Sequence, residues 1–279
     1  MDYLQSIICG FIQGAAEFLP ISSSGHLSLF KHFFGMQDIS NSFDVLLHLG
    51  TLFAIFIVYS KDIFPLIPAF FTMIGKVFKR KFKLEYYTTQ ERMVIMIIIA
   101  CIPLLPTALI EDNVEALGTY PIAIGVILLI NSVMLFISDN IKGGSVNAET
   151  IKPRNAITVG FFQMFAVLPG LSRSGSTITG GLINKFDREY AVKFSFIMSI
   201  PAILGANIIK LPELIKDPSF SSNAPMYIVG TLTALVVGVG AMKLLIFISR
   251  KSTFKIFSVY CAIVGLLAII LAALGVTFA

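Results

Sequence analysis

Apolar residues run along this chain in blocks of roughly 20, the length that carries one helix across a bilayer. Blocks at 43–60, 92–111, 119–138, 187–211, 225–249 and 254–277 predict six transmembrane helices. Two segments, 3–35 and 153–186, break the pattern. Each is an apolar run of about 17 residues, interrupted by Pro and Ser/Gly and followed by a shorter run, the mark of a discontinuous helix in a membrane protein. Both predict re-entrant helix–loop–helix hairpins that enter and leave on one side. The longest polar stretches, 76–92 and 139–155, leave no separate soluble domain, so 1–279 reads as one membrane domain.

The two interrupted segments echo each other. Gly10, Phe11, Gln13, Ser22, Ser24 and Gly25 return at an offset of 150 as Gly160, Phe161, Gln163, Ser172, Ser174 and Gly175, with the proline slipping by one (Pro20, Pro169). The chain therefore divides into repeat one, 1–138, and repeat two, 153–279, each with one hairpin and three spans. The copies differ in their polar residues: Glu17 and His26 belong to the first alone, Arg173 to the second alone.

Charge orients the spans. Lys76, Lys79, Arg80, Lys81 and Lys83 follow the first span and assign that loop to the cytoplasm; Glu111, Asp112 and Glu115 mark the next loop as external. Lys142, Lys152 and Arg154, then Arg250, Lys251 and Lys255, return the chain inside. Three crossings per repeat invert the second copy, so the hairpin tips approach from opposite faces and meet near the midplane. Residues 63–78 are apolar but short, with Pro65 and Pro68, and are expected to lie at the cytoplasmic interface. If they spanned, the parity would fail.

The tips carry the chemistry. Ser22 and Ser172 are placed to cap short helices, with Ser23, Ser24 and Gly25, and Ser174 and Gly175, in or near the first turns. Such helix starts bind phosphate through free N–H groups. Glu17 lies one turn beyond Gln13 on the same helix face, and His26 one turn beyond Ser23. A charge near the bilayer centre costs on the order of 3 kcal/mol, so Glu17 and Arg173 point to function. Asp44 and His48, at i,i+4 at the mouth of the first span, either line the cavity or mark the interface; His32 is a candidate for the interface, and Asn131, Asn184 and Asn207 for interhelical hydrogen bonds.

Composition agrees. The chain is 56% apolar and 13% charged with mean hydropathy +0.86, which excludes a soluble average. No basic region precedes Met1-Asp2, so no cleaved signal peptide is expected. The net charge of +5 sits beside membrane segments and needs no nucleic-acid partner. Cys9, Cys101 and Cys261, singly spaced, read as core packing.

At Gln13-Gly-Ala-Ala-Glu17, running into Phe18-Leu-Pro-Ile-Ser-Ser-Ser-Gly-His26, the chain resembles the undecaprenyl-diphosphate phosphatase family, also called bacitracin-resistance proteins. Pro169-Gly-Leu-Ser-Arg173-Ser-Gly-Ser-Thr177 and Phe43-Asp-Val-Leu-Leu-His48-Leu-Gly-Thr51 resemble it too. Many members have Glu where this chain has Gln13. The resemblance implies a bacterial inner-membrane enzyme that removes the terminal phosphate of a C55 isoprenyl diphosphate, recycling the lipid carrier of cell-wall synthesis. It further implies a site open to the periplasm and a divalent cation, Mg2+ or Ca2+, with Glu17 and Gln13 as candidate ligands.

On that reading Ser23 attacks phosphorus, His26 and Glu17 handle the proton, and Arg173 clamps the phosphoryl oxygens. Ser22, Ser24, Gly25, Ser172, Ser174, Gly175 and Thr177 would hold phosphate. His26 as nucleophile, with Ser23 a phosphate ligand, is equally compatible with the sequence. The rival class is a flippase or transporter of isoprenyl phosphate or a small anion, because broken helices in inverted repeats also build transporters. Membrane lipid is the surrounding partner; oligomeric state, a homodimer included, is left open.

Overall fold

The computed structural model describes residues 1–36, 39–81, 83–217, 220–250 and 254–278; Lys251 lies outside them. The chain is an all-α membrane protein. Its elements are α1 (Tyr3–Phe18), α2 (Ser23–Phe33), α3 (Asn41–Val58), α4 (Ser60–Ile63), α5 (Leu66–Phe78), α6 (Thr89–Cys101), α7 (Glu111–Leu117), α8 (Pro121–Asp139), α9 (Pro153–Phe165), α10 (Arg173–Ile183), α11 (Arg188–Lys216), α12 (Phe220–Ser249) and α13 (Lys255–Ala273). Among the described residues there is no strand beyond one isolated bridge between Val146 and Phe186. Large apolar side chains on the outer helix faces, among them Phe11, Phe161, Val236 and Ile263, stand exposed, as a lipid-facing surface requires.

Five segments are long and apolar enough to cross a membrane: Thr89–Leu117, Pro121–Asp139, Arg188–Pro212, Phe220–Ser249 and Lys255–Ala273. The sixth predicted span, 43–60, is α3. It is followed after Tyr59 by a 79° bend into α4 and α5, and these together count as a sixth candidate. Pro65 caps α5 and Pro68 sits in its first turn, where a missing N–H is tolerated. The segment 63–78 thus leaves the line of α3, packs Ala69 and Met73 against Tyr87 and Val94, and turns Phe70, Phe71 and Phe78 outward.

One predicted span is less regular than expected. The stretch 92–111 is α-helical only to Cys101, then becomes a 3₁₀ segment, Ile102–Ile110. Pro103 and Pro106 each remove an N–H from the α ladder, which accounts for the switch. Glu111, Asp112 and Glu115, expected in a loop, lie in the short helix α7.

Packing reveals what the repeated glycines do. Gly10 faces the Gly230 carbonyl and Thr233 on α12, and Gly14 faces Ala234, Val237 and Gly238. The Ser6 hydroxyl donates to the Met226 carbonyl. Residues 6, 10 and 14 therefore meet 226, 230 and 234–238, and α1 runs parallel to α12. In the second copy Gly160 faces the Ala100 carbonyl and Pro103, while Arg92 donates to the Ile151 carbonyl at 3.3 Å, so α9 runs parallel to α6. The start of α6 and the end of α12 both lie by the start of α11, through Tyr190 to Met93 and Arg250 to Glu189. Hence α6 and α12 are antiparallel, and so are the hairpins that follow them. A Cβ at Gly10 or Gly160 would overlap a backbone carbonyl that side-chain motion cannot relieve. Gly160→Leu is expected to destabilise the protein by about 3 kcal/mol through overpacking, read as a lower unfolding temperature in detergent, whereas Gly75→Ala, which meets open space, should not.

Candidate active site

The hairpin tips touch. Gly25 packs on Gly170, and Gly175 on Pro20. The Ser22 hydroxyl oxygen accepts from Gly25 N–H at 3.3 Å, capping α2, and from Gly170 N–H of the other hairpin at 3.1 Å. Ser172 caps α10 in the same way through Gly175 N–H at 3.1 Å. Asn131 on α8 joins both tips: its amide donates to the Pro20 carbonyl at 3.0 Å and its oxygen accepts from Ser172 N–H at 3.2 Å. The caps are not equivalent. Ser22 has φ +75°, a region that L side chains rarely adopt, whereas Ser172 has φ −72°. A strained residue of this kind costs about 1–3 kcal/mol and persists only where its surroundings fix it. Here the cross-hairpin bond from Gly170 does so.

A cavity of about 780 Å³ opens over these tips. Glu17, Ser22, Ser23, Ser24, Ser172 and Arg173 line its floor. Lys31, Asp44, Glu115, Thr119 and Lys210 line its walls and mouth. The mouth lies at the α7 end of the α6–α7 segment, away from Lys76, which pairs with Glu91 at 2.5 Å where α6 begins. Three ion pairs frame it, Lys31 with Asp44 at 2.7 Å and Lys210 with both Glu115 and Glu111.

Glu17 is the hub of the floor. One carboxylate oxygen, Oε1, pairs with Arg173 from the opposite hairpin. The other, Oε2, accepts from the Ser23 hydroxyl at 2.7 Å and from the Gln13 amide at 2.9 Å. His48 Nε2 stands 3.8 Å from the same oxygen. Gln13 and Glu17 are both buried, and the carboxylate is compensated at this depth by its guanidinium partner and two further hydrogen bonds. Ser23 sits in the first turn of α2, where N–H groups lack intrahelical acceptors and the helix dipole favours an anion. Arg173 occupies the same position in α10. Two helix starts, a guanidinium and a hydroxyl bonded to a carboxylate thus converge on one cavity.

The structure separates the predicted site residues into two groups. Glu17, Ser22, Ser23, Ser24, Ser172 and Arg173 come together at the cavity, with Gln13 behind Glu17. His26, Gly25, Ser174, Gly175 and Thr177 are not part of its lining. His26 does not approach Ser23 through a hydrogen bond: Nδ1 bonds the Ser22 carbonyl at 2.8 Å and Nε2 the Tyr260 hydroxyl at 3.0 Å. A carbonyl four residues back on its own chain is the nearer partner. The N–H groups of Gly25 and Gly175 are taken by the serine caps. Ser174 faces Ser172 at 3.1 Å, and the Thr177 hydroxyl bonds the Arg173 carbonyl at 2.8 Å and Ser195 at 2.5 Å. These five support the tips from behind. Asn131 joins elements as expected, and Asn184 accepts from Asn155 at 3.1 Å. Asn207 instead donates within its own helix and lines the cavity. His32, expected at the interface, also lines the cavity.

Two features escaped the site assignment from sequence. Lys210 on α11 gave no local signal, because it meets the mouth only through tertiary packing. Gln163, the echo of Gln13, is 1% exposed, lines the cavity, and its amide has no hydrogen-bond partner. The repeat itself was the signal that could have found it.

Among the described residues no group of three or more His, Cys, Asp or Glu is gathered for a metal ion. Gln13 Oε1 is nevertheless a buried oxygen without a partner, next to the Glu17 carboxylate. Mg2+ commonly takes one or two protein carboxylates and completes its shell with substrate phosphates and water, so this small set of hard oxygens fits a cation that arrives with a diphosphate.

Fold and site together define a multi-pass membrane protein with an anion-accepting cavity between two broken-helix hairpins. Residues 6–267 match the bacitracin resistance protein BacA family, and the chain belongs to that family. It is similar to the undecaprenyl-diphosphatase of Methanobrevibacter smithii, at 40% identity over 96% of this chain and 96% of that one. Proteins of the same description from Methanosphaera stadtmanae (36% identity) and Desulforapulum autotrophicum (37%) each align over 97% of this chain and 98% of their own.

Proposed function

We propose that the chain hydrolyses undecaprenyl diphosphate to undecaprenyl phosphate and inorganic phosphate, and that Ser23 is its nucleophile. The family and the names of its relatives support the reaction. The observation that carries the site assignment is the 2.7 Å hydrogen bond from the Ser23 hydroxyl to Glu17, beside Arg173 and at the start of a helix. A carboxylate that already accepts the Ser23 proton is placed as its base.

In this mechanism the lipid tail stays in the bilayer and the diphosphate reaches the cavity floor. Arg173 and the first-turn N–H groups of α2 and α10 neutralise the terminal phosphoryl oxygens. Ser23 Oγ bonds to the terminal phosphorus, its proton passes to Glu17, and the bridging P–O bond breaks to release the lipid monophosphate. Water then cleaves the phosphoserine. A divalent cation held between Glu17, Gln13 and the diphosphate would offset further negative charge. His26 acts as a positioning residue that holds the Ser22 carbonyl through Nδ1 and is itself held by Tyr260. The mouth lies opposite the Lys76–Lys83 cluster, so positive-inside orientation turns it toward the periplasm or cell exterior. Removal of the terminal phosphate there returns the carrier lipid to use, and withdraws the diphosphate form in accord with the family's link to bacitracin resistance.

The transporter alternative draws on the antiparallel hairpins. Transport needs anion ligands alone and leaves the Ser23–Glu17 bond without a purpose. Purified protein in detergent micelles is expected to release inorganic phosphate from undecaprenyl diphosphate in a protein-dependent manner. Binding of the lipid without phosphate release would overturn the reading in favour of transport.

A further inference from the structure

We propose that His48, on α3, is the base that activates water for cleavage of the phosphoserine, the second half of the reaction. The inference rests on the serine route above and adds a catalytic residue to it.

His48 lines the cavity with its side chain about one-third exposed. Its Nδ1–H donates to the Asp44 carbonyl at 2.8 Å, one turn back on α3, which fixes the ring and turns its other nitrogen, Nε2, to the cavity. Nε2 points to the floor, 3.8 Å from Glu17 Oε2, and makes no hydrogen bond among the described residues. A water molecule held in the cavity against Nε2 would be the one it activates. The same spot adjoins Ser23, because Ser23 Oγ bonds the same Glu17 oxygen.

Glu17 is poorly placed to activate that water itself. Oε1 takes Arg173, and Oε2 already accepts from Ser23 and Gln13. After the first step it also carries the serine's proton. His26, the other histidine of the sequence motif, has both ring nitrogens engaged outside the cavity. Of these two histidines, His48 is the one that turns a ring nitrogen to Glu17 at the cavity floor.

The step balances. Water oxygen bonds to the phosphorus of phosphoserine while one of its protons passes to His48 Nε2. The Ser23 Oγ–P bond breaks, and Oγ recovers its proton from Glu17. Inorganic phosphate leaves, and His48 loses its proton to the wet mouth. The division gives each half-reaction its own base: the buried carboxylate for the serine, the partly exposed imidazole for water.

The test is to follow undecaprenyl diphosphate labelled with 32P in its terminal phosphate, in detergent, with the parent, His48→Gln and His48→Ala. Loss of a general base typically costs 10²–10⁴ in rate, so His48→Gln should turn over about 10²-fold more slowly. It should also accumulate labelled phosphoserine, because the first step does not use His48. Free imidazole should restore part of the turnover of His48→Ala, which a purely structural role would not allow. Turnover near the parent's in either variant overturns the proposal. So does loss of turnover without labelled phosphoserine in a variant that unfolds at the parent's temperature, and so does His48→Ala activity indifferent to imidazole. Ser23→Ala run alongside separates the two readings. If it keeps turnover, the serine route itself fails; if it is inactive while His48→Gln is normal, only the role of His48 falls.

Discussion

Replacing Ser23 by Ala is expected to lower phosphate release from undecaprenyl diphosphate by about 10⁴-fold and to abolish any labelled phosphoenzyme. The loss is that large because a nucleophile's contribution is not shared with neighbouring hydroxyls; knocking out the serine of another hydrolase costs about 10⁶. The estimate is set lower here because Arg173 and the helix starts keep some assistance for direct attack by water. The fold should survive: Ser23 is partly exposed to the cavity, and its side-chain bond is to Glu17, which keeps Arg173 and Gln13. Ser60→Ala is the control. Ser60 lies outside the cavity lining and its hydroxyl bonds the Ile57 carbonyl at 3.4 Å, so its loss should leave turnover close to the parent's. Phosphate release and acid-stable phosphoserine, measured on both variants, decide the matter. Near-normal turnover in Ser23→Ala would remove the serine mechanism.

Arg173→Ala should be comparably severe in activity, about 10³-fold, as expected where a guanidinium offsets charge on a transferring phosphoryl group. It should also be destabilising. Breaking a buried ion pair leaves an uncompensated charge, here Glu17, at a cost of about 3 kcal/mol. The two effects can be parted. Adding Glu17→Gln to Arg173→Ala removes the stranded carboxylate, so the double variant should regain much of the lost unfolding temperature and none of the lost turnover. Arg173→Lys keeps a charge but not the planar fork, and should fall between the parent and Arg173→Ala. Thermal unfolding and phosphate release on the three proteins test this. An Arg173→Ala protein with normal turnover would leave the phosphate without its clamp and defeat the assignment.

The opposition of the hairpins explains why the site has one residue of each kind. Both copies use serine caps and close-packed glycines in the same way, as Gly10 and Gly160 and the Ser22 and Ser172 hydroxyls demonstrate. The residues that differ face one another. Glu17 from one hairpin meets Arg173 from the other, and the nucleophile stands on the carboxylate side. A symmetric pair would have formed two like sites or one plain anion pocket.

Much of this was written in the sequence. Apolar block length fixed the membrane class and nearly all the spans, because only helices of that length bury their backbone in lipid. The 150-residue echo with its lysine distribution predicted opposed hairpins, and in the structure residues 6–14 pack on α12 as 151–160 pack on α6. The sequence also marked Glu17, Ser23 and Arg173, since charge and hydroxyls are costly at that depth. It put His26 beside Ser23 in the chemistry and His48 only at the mouth of the first span. His26 stood beside the serines in the chain and His48 did not, yet His26 turned to the Ser22 carbonyl and Tyr260, and His48 reached Glu17. Helical periodicity gives the direction of a side chain about its own axis. It does not give the neighbour that fills that direction. The angle between α1 and α2 is set by the strained Ser22 and its bond from Gly170, and the position of α3 by Gly50 and Ala54 packing on α12. Those contacts exist only once the hairpins have met, so the identity of the histidine on the floor belongs to the tertiary structure.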